Sequence, residues 1–316
     1  MKIVISDDYQ NCVRLLDCFG KLNNHDVDIF NDTVSELEEK VNRFKDAEAI
    51  VLTRERTVID RTLIERLPKL KLISQTGKIA SHVDLEACKE HGIVVMDGRG
   101  SGSATAEMNL LLILASLRNI VSEANRLKRG QWQGTVGRQL SGKILGVYGF
   151  GRIGQQVCHL GKAFGAHILV WGRESSLAKA REMGFEVAAS KVDFFTKSDI
   201  VSLQLRLNQE TRGIVTAADL ASMKPSATLV NTSRAELVEE GALYTALKLG
   251  HPGFAAIDVY ESEPVLNASD PLLELPNCLC TPHLGFVEKD NYESYFGIAF
   301  DNINAFADGS MQNCVV

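Results

Sequence analysis

The chain has 316 residues, 45% of them apolar and 23% charged. That is enough apolar material for about two hydrophobic cores, and it excludes a disordered or fibrous chain. Lysine and arginine (34) and aspartate and glutamate (40) give a net charge of −6 with the signs interspersed. No basic tract marks a nucleic-acid surface. The start, Met1-Lys2-Ile3-Val4-Ile5-Ser6-Asp7-Asp8, has no signal-peptide pattern, and the run Leu110 to Leu117 is too short to span a bilayer. Cys12, Cys18, Cys88, Cys158, Cys278, Cys280 and Cys314 form no C-x-x-C pair. Reduced thiols, a cytoplasmic location, no membrane contact and no metal are therefore expected. Cys278 and Cys280 alternate within a predicted strand, which puts both sulfurs on one face.

In chain order, strand patterns at Lys2–Ile5, Asp26–Phe30, Ala49–Leu52, Leu70–Ser74 and Ile93–Val95 alternate with helix patterns. The helices are expected over Asn11–Phe19, Val34–Arg43, Arg61–Arg66 and Val83–Lys89. This alternation argues for a parallel, doubly wound sheet. A long helix is expected from Ala104 to Leu127, its apolar stripe formed by Met108, Leu111, Leu112, Ala115 and Ile120 and bridging two domains. After a surface excursion from Gly130 to Gly142, a second α/β series runs to about Thr281. Its strands are Ile144–Tyr148, His167–Trp171, Ile200–Leu203, Thr228–Asn231, Ala255–Val259 and Cys278–Thr281. A final amphipathic helix, about Glu288 to Asp308, is expected to return to the first domain. The boundaries that follow are 1–101 plus 285–316 for a discontinuous first domain and 102–284 for the second.

The turn Gly149-Phe150-Gly151-Arg152-Ile153-Gly154 follows the strand Ile144–Tyr148 and opens a helix-like stretch, Gln155 to Phe164. In that setting the first glycine allows a tight turn and the second lets backbone approach a pyrophosphate. The third lets helix pack on strand, with the helix N-terminus facing the anion. A dinucleotide is the implied cofactor.

Arg234, Glu263 and His283 each stand just past the end of a predicted strand, where ligands bind in open α/β sheets. Reduction of a 2-oxo acid needs a cation to hold the carboxylate and polarise the ketone, which suits a guanidinium. It needs a proton donor, which imidazole supplies, and a carboxylate beside the imidazole fixes its tautomer.

With these motifs the sequence resembles the D-isomer-specific 2-hydroxyacid dehydrogenases, a family that includes glyoxylate/hydroxypyruvate reductases and D-3-phosphoglycerate dehydrogenases. The resemblance runs through Gly146 to Gly154, Asn231-Thr-Ser-Arg234, Asp258-Val-Tyr-Glu-Ser-Glu-Pro264 and Thr281-Pro-His-Leu-Gly285. It implies a Rossmann-type nucleotide-binding domain inserted into a flavodoxin-like substrate domain. Arg234 is implied for substrate carboxylate and carbonyl, His283 as general acid/base and Glu263 as its partner. Asp258 is implied as a contact of the nicotinamide carboxamide, Thr105 as a lining residue of that pocket, and Thr232 and Ser233 as cofactor neighbours. A homodimer is implied too, with the Leu127–Leu140 region in an intersubunit arm.

Two departures stand out. The family's G-x-G carboxylate-binding loop reads Gly77-Lys78-Ile79 here. Lys78 is thus either a solvated lysine or an added positive charge favouring an acidic substrate. Arg54 and Arg56, after the strand Ala49–Leu52, are candidates for a second carboxylate or phosphate. At the second strand of the nucleotide domain, Gly172 stands where an NAD site carries an acid, followed by Arg173 and Glu174. With Arg206 in place of the family's usual proline, this favours NADP(H) over NAD(H).

The expected function is a reductase moving hydride between NAD(P)H and a small 2-oxo acid, with glyoxylate and hydroxypyruvate ahead of D-3-phosphoglycerate because no regulatory domain follows residue 316. The alternatives are a dinucleotide-sensing interaction protein like the C-terminal-binding-protein corepressors, or a phosphite or formate dehydrogenase on the same scaffold.

Overall fold

The computed structural model describes residues 1–100 and 102–316, which form two compact units: 1–100 with Val287–Val316, and Gly102–Phe286. In the first unit five strands, β1 (Lys2–Ile5), β2 (Asp26–Ile29), β3 (Ala49–Leu52), β4 (Leu72–Gln75) and β5 (Val94–Met96), lie in the order β2-β1-β3-β4-β5. Every strand pair is parallel, and 2-1-3-4-5 is the flavodoxin-like order. The apolar run Ala-Ile-Val-Leu of β3 and the mixed run Leu-Ile-Ser-Gln of β4 are wholly buried, as strands covered on both faces must be.

The helices of this unit are α1 (Leu37–Phe44), α2 (Arg61–Ile64) and α3 (Leu85–Glu90). Asp60 and Asp84 cap α2 and α3 by accepting from the amides of Leu63 and Ala87. The helix expected over Asn11–Phe19 is instead two short 3₁₀ turns, Val13–Leu15 and Asp17–Leu22, separated by an extended Leu16. The reason is local competition for amides. Asp8 accepts from the N–H groups of Cys12 and Val13, and Glu293 from those of Asp17 and Cys18.

The second unit opens with α4 (Ser103–Arg118) and α5 (Ile120–Lys128). The single long helix expected here breaks at Asn119, whose φ of 51° is left-handed, and the two pieces meet at 60°. The expected stripe is also wrong in part. Leu112 and Ala115 are buried, but Leu111 and Ile120 are 57% and 53% exposed. α4 buries Ala106, Asn109, Leu110, Leu112, Ile113 and Leu117, too broad a surface to show as one stripe. Both helices belong to this second unit. Among the described residues no single helix is long and apolar enough to cross a membrane.

Seven parallel strands follow: β6 (Ile144–Tyr148), β7 (His167–Trp171), β8 (Glu186–Val187), β9 (Ile200–Leu203), β10 (Thr228–Asn231), β11 (Phe254–Ile257) and β12 (Cys278–Cys280). They lie in the order β12-β11-β10-β9-β6-β7-β8, the Rossmann order extended by one strand. α6 (Arg152–Ala163), α7 (Glu174–Glu182), α8 (Lys191–Lys197), α9 (Ala217–Ala221) and α10 (Ala242–Leu249) connect them. Tyr148, Phe194 and Phe195 anchor one hydrophobic cluster, with Phe194 and Phe195 ring centroids 5.2 Å apart edge to face. Ile113, Val147, Phe150 and Val157 belong to another.

The last helix, α11 (Lys289–Ala307), returns to the first unit, and Glu288 caps it by accepting from the amides of Asp290 and Asn291. Phe296, Phe300 and Ile303 are buried, and Ser74 of β4 donates to the carbonyl of Ala299. Beyond α11 the chain pairs antiparallel with β5, Val315 N–H donating to Val95 O at 2.7 Å. Phe300 lies edge to face with Phe19 at 6.2 Å and has no exposed surface. Phe300→Ala is expected to lower unfolding free energy by about 3–5 kcal/mol. Urea denaturation checks this, a change below about 1 kcal/mol contradicting the packing described.

Candidate active site

Backbone packing explains two of the three glycines in the turn after β6. Gly149 has φ +102°, and a Cβ there would lie 2.4 Å from the carbonyl oxygen of Gln204. A Cβ on Gly154 would lie 2.2 Å from the oxygen of Gly149, so the helix closes directly onto the turn. Gly151 differs, because among the described residues nothing besides its own chain neighbours lies within 4 Å of where its Cβ would be. It is also the N-cap of the 12-residue α6, with no side chain capping the helix. Exposed amides at a helix start, with open space above a glycine, fit a dinucleotide pyrophosphate. Arg152 and Ile153 form the first turn of α6, Arg152 exposed and Ile153 half-buried. Arg173 and Arg206, both exposed, follow β7 and β9, the two strands that flank β6. Glu174 lies on the α7 surface, 2.9 Å from Arg181, rather than turned towards the glycine turn.

Strand register brings the catalytic candidates to one end of one sheet. Asn231, Ile257 and Cys280 are partners across β10, β11 and β12. Arg234 and His283 each lie three residues beyond this line, and Glu263 lies six beyond it. Two strand spacings, about 9–10 Å, separate β10 from β12. Glu263 Oε2 sits 2.6 Å from Nδ1 of His283, both side chains mostly buried. The carboxylate is an acceptor, so Nδ1 carries the hydrogen and Nε2 is left as the working nitrogen. Glu263 is itself fixed by the amide of Tyr260, which donates to Oε1 at 3.0 Å. The His283 ring also meets Phe286 edge to face at 5.4 Å.

His283 has φ +53°, an uncommon backbone state for a non-glycine residue. Asp258, fully buried, holds the turn that contains it. Its Oδ1 accepts from Thr281 Oγ1 (2.6 Å) and Leu284 N (2.7 Å), and Oδ2 from Gly285 N (2.7 Å). Burial pushes the Asp258 carboxyl above its ordinary value, against the pull of these donors. A Cβ on Gly285 would approach Oδ2 to 3.1 Å. Thr105 completes the grip by donating to the carbonyl of Gly285 at 2.9 Å. The resemblance implies nicotinamide contacts for Asp258 and Thr105, whereas the bonds they make in this structure hold the His283 turn.

Arg234, half-buried, donates from Nη1 to Ser233 O at 2.6 Å, and Asn231 Nδ2 donates to its carbonyl. The side chains of Thr232 and Ser233 are engaged structurally: Asn109 Nδ2 donates to Thr232 Oγ1, and Ser233 Oγ donates to Leu203 O. Asn109, Thr281 and Tyr260 were not singled out from sequence. Their polar atoms have roles only through partners many residues away. The sulfurs of Cys278 and Cys280 do share a face, 3.6 Å apart.

In the first unit Gly77 has φ +100°, and Lys78 and Ile79 follow at the carboxyl end of β4. Lys78, read from sequence as either a solvated lysine or an added positive charge, has an acidic partner. Its Nζ lies 2.5 Å from Oδ1 of the nearly buried Asp97, so the charge is balanced within the fold. Asp97 Oδ2 also accepts from the amide of Ile79 at 3.4 Å. Arg54, with φ +56°, is half-buried and lies over the ring of Tyr295, its guanidinium carbon 5.4 Å from the centroid. Arg56 lies over Tyr9 at 5.8 Å.

Comparison with known proteins identifies the family and fold. The profile of the D-isomer specific 2-hydroxyacid dehydrogenase, NAD binding domain, matches residues 110–285. The chain is 34% identical over 320 residues to the D-3-phosphoglycerate dehydrogenase of Methanocaldococcus jannaschii, a match covering all of this chain and 59% of that protein. It is 35% identical over 263 residues to the glyoxylate reductase of Aeropyrum pernix, covering 80% of this chain and 78% of the relative. A crystal structure of phosphoglycerate oxidoreductase from Vibrio cholerae is similar at a TM-score of 0.96 and 52% identity, covering 98% of this chain and 99% of the other. On its sequence, its two parallel sheets and the order of its site residues, the chain belongs to the D-isomer specific 2-hydroxyacid dehydrogenase family.

Proposed function

We propose that the protein reduces small 2-oxo acids to D-2-hydroxy acids with a nicotinamide dinucleotide. The observation that carries this reading is the 2.6 Å contact of His283 Nδ1 with Glu263, on a turn in register with that of Arg234. A bound dinucleotide supplies the hydride. Arg234 holds the substrate carboxylate and polarises the ketone, as a planar guanidinium does well. His283 delivers a proton from Nε2 to the oxygen as negative charge develops there, and Glu263 stabilises the charged imidazole and fixes its tautomer. Asp258 and Thr105 hold the turn so that Nε2 keeps its direction. The presence of all three catalytic candidates favours an enzyme over a dinucleotide-sensing interaction protein.

Hydroxypyruvate and glyoxylate are the substrates to try first. Arg54, held by its backbone in the loop after β3, supports recognition of a second anionic group such as a phosphate ester. The names of two relatives, a phosphoglycerate dehydrogenase and a phosphoglycerate oxidoreductase, point the same way. Seven cysteines without a disulfide suit a reducing, cytoplasmic setting. His283→Ala is expected to lower kcat/KM by about 10²–10⁴-fold, and Glu263→Gln by tenfold or more. Steady-state assays with hydroxypyruvate check this, and normal turnover by His283→Ala overturns the assignment.

NADP(H) is the proposed cofactor. Gly172 leaves no carboxylate to repel a 2′-phosphate, and Arg173 and Arg206 stand exposed at the same end of the sheet. The ratio of kcat/KM for NADPH to that for NADH is expected to exceed one and to fall about tenfold in Arg173→Ala, a change worth about 1.4 kcal/mol. A clear NADH preference in the parent protein defeats this choice.

A homodimer is the proposed assembly. Leu127, Trp132 and Val136 are 59%, 75% and 96% exposed within one short stretch, an apolar patch that suits burial against a second copy. Light scattering is expected to give twice the chain mass, reduced to the single-chain mass by Trp132→Glu with Val136→Glu. A parent protein that runs as a monomer at micromolar concentration rules the dimer out.

A further inference from the structure

Cys278 and Cys280 take no part in the chemistry above, yet they stand just before the turn that carries His283. Both lie on β12, the edge strand of the second sheet, which has β11 as its one neighbour among the described residues. Side chains alternate along it as the pleat requires. Leu279 packs against one hydrophobic cluster, and Cys278 and Cys280 pack against the other. Their sulfurs lie 3.6 Å apart, and both residues are half-buried rather than sealed in the core. Cys280 Sγ also lies 3.8 Å from the carbonyl oxygen of Leu272, in the 3₁₀ turn Pro271–Glu274.

The two thiols are unlike. Contact with Cys278 draws the Cys280 thiol below its ordinary range against the burial that opposes this, and the Tyr260 hydroxyl adds to the pull. The same contact, together with burial, pushes the Cys278 thiol up. Such a pair suits dithiol oxidation, in which the more acidic sulfur attacks the oxidant and the second resolves the product.

We infer that Cys278 and Cys280 form a modification site, a thiol pair that hydrogen peroxide closes to a disulfide and that thereby displaces the His283 turn. The Cys280 thiolate attacks one peroxide oxygen and expels hydroxide, which leaves as water with the proton that Cys280 gave up. The product is a sulfenic acid. Cys278 sulfur then attacks the Cys280 sulfur, and the departing hydroxide takes the Cys278 proton as a second water. Two thiols are oxidised to one disulfide while one peroxide is reduced to two waters, and an external thiol reverses the change by exchange.

The coupling to His283 is geometric. Alternate residues of an extended strand are about 6.5 Å apart at Cα, the upper end of what a disulfide spans. Bringing sulfurs 3.6 Å apart within bonding distance therefore shortens or bends β12. Its free edge lets it bend without breaking a second ladder. Cys280 pairs with Ile257, and the next amide, that of Thr281, donates to Ile257 O at 3.0 Å. The Thr281 carbonyl in turn accepts from the Tyr260 hydroxyl and from the His283 amide, both at 3.0 Å. A bend at Cys280 thus reaches His283 directly, and a misplacement of about 1 Å costs up to about 10²-fold in rate.

Protein treated with hydrogen peroxide, freed of it, alkylated and digested with trypsin tests the site. Residues 249–289 contain no lysine or arginine before Lys289 and hold these two cysteines alone, so the disulfide reads as the loss of two hydrogens from one peptide. That loss is expected, and with it a fall in kcat/KM for hydroxypyruvate of about tenfold or more that dithiothreitol restores. Cys278→Ser and Cys280→Ser are each expected to keep their activity through the treatment. Cys12→Ser and Cys314→Ser, at half-buried and exposed thiols elsewhere, are expected to stay as sensitive as the parent. Should a serine variant melt early in thermal denaturation, alanine at the same position replaces it. A peptide that keeps both hydrogens overturns the site, a readout independent of which substrate the enzyme takes. A disulfide formed with activity unchanged, or inactivation that persists in both serine variants, overturns the coupling to His283.

Discussion

One buried carboxylate organises the chemistry. Asp258 sits beyond β11 with no exposed surface and accepts from a threonine hydroxyl and two consecutive backbone amides. Taking a carboxylate out of water is expensive, and multiple short charge-assisted bonds are what offset the cost. Removing the acceptor would strand three donors, and the buried one, the Gly285 amide, would alone cost about 1–3 kcal/mol. The turn they belong to is therefore held far more tightly than a surface loop. That tightness sustains the left-handed backbone of His283 and fixes where its ring points. A network on neighbouring strands serves the same end. Tyr260, just beyond β11, donates its amide to Glu263 and its hydroxyl to the carbonyl of Thr281, tying Glu263 and the start of the His283 turn to one residue.

Rigidity at the other half of the sheet comes from absence of side chains. Gly149 and Gly154 meet with no room for a Cβ, so the start of α6 cannot slide away from β6. The helix then presents its uncapped amides over Gly151, where among the described residues only chain neighbours come within 4 Å of a Cβ position. Pre-aimed donors need no reordering when an anion arrives, which is why such a site binds phosphate groups through backbone alone.

How much of this was legible in the sequence follows the range of each interaction. The two sheets were readable because parallel strands buried on both faces show as short apolar runs, as in Ala49–Leu52 and Ile200–Leu203. Arg234, Glu263 and His283 were readable because each stands just past such a run. The break at Asn119 was hidden, since asparagine fits both a helix and the left-handed state that ends one. The 3₁₀ turns after Cys12 were hidden for another reason: Glu293, some 275 residues away, takes the amides of Asp17 and Cys18 that an α-helix would need. The balancing of Lys78 by Asp97 is likewise a tertiary fact, invisible at a separation of 19 residues.

That last pairing changes the charge that the loop after β4 presents. Lys78 occupies the loop that the family resemblance links to the substrate carboxylate, and on sequence it competes with Arg54 as the source of positive potential. Two charges 2.5 Å apart largely cancel at any distance beyond a few ångströms, so the Lys78–Asp97 pair contributes a dipole rather than a field. The pair also ties the loop to the end of β5, because Asp97 accepts from the Ile79 amide. Ile79 in place of a glycine is thus compatible with a loop fixed by a side-chain carboxylate.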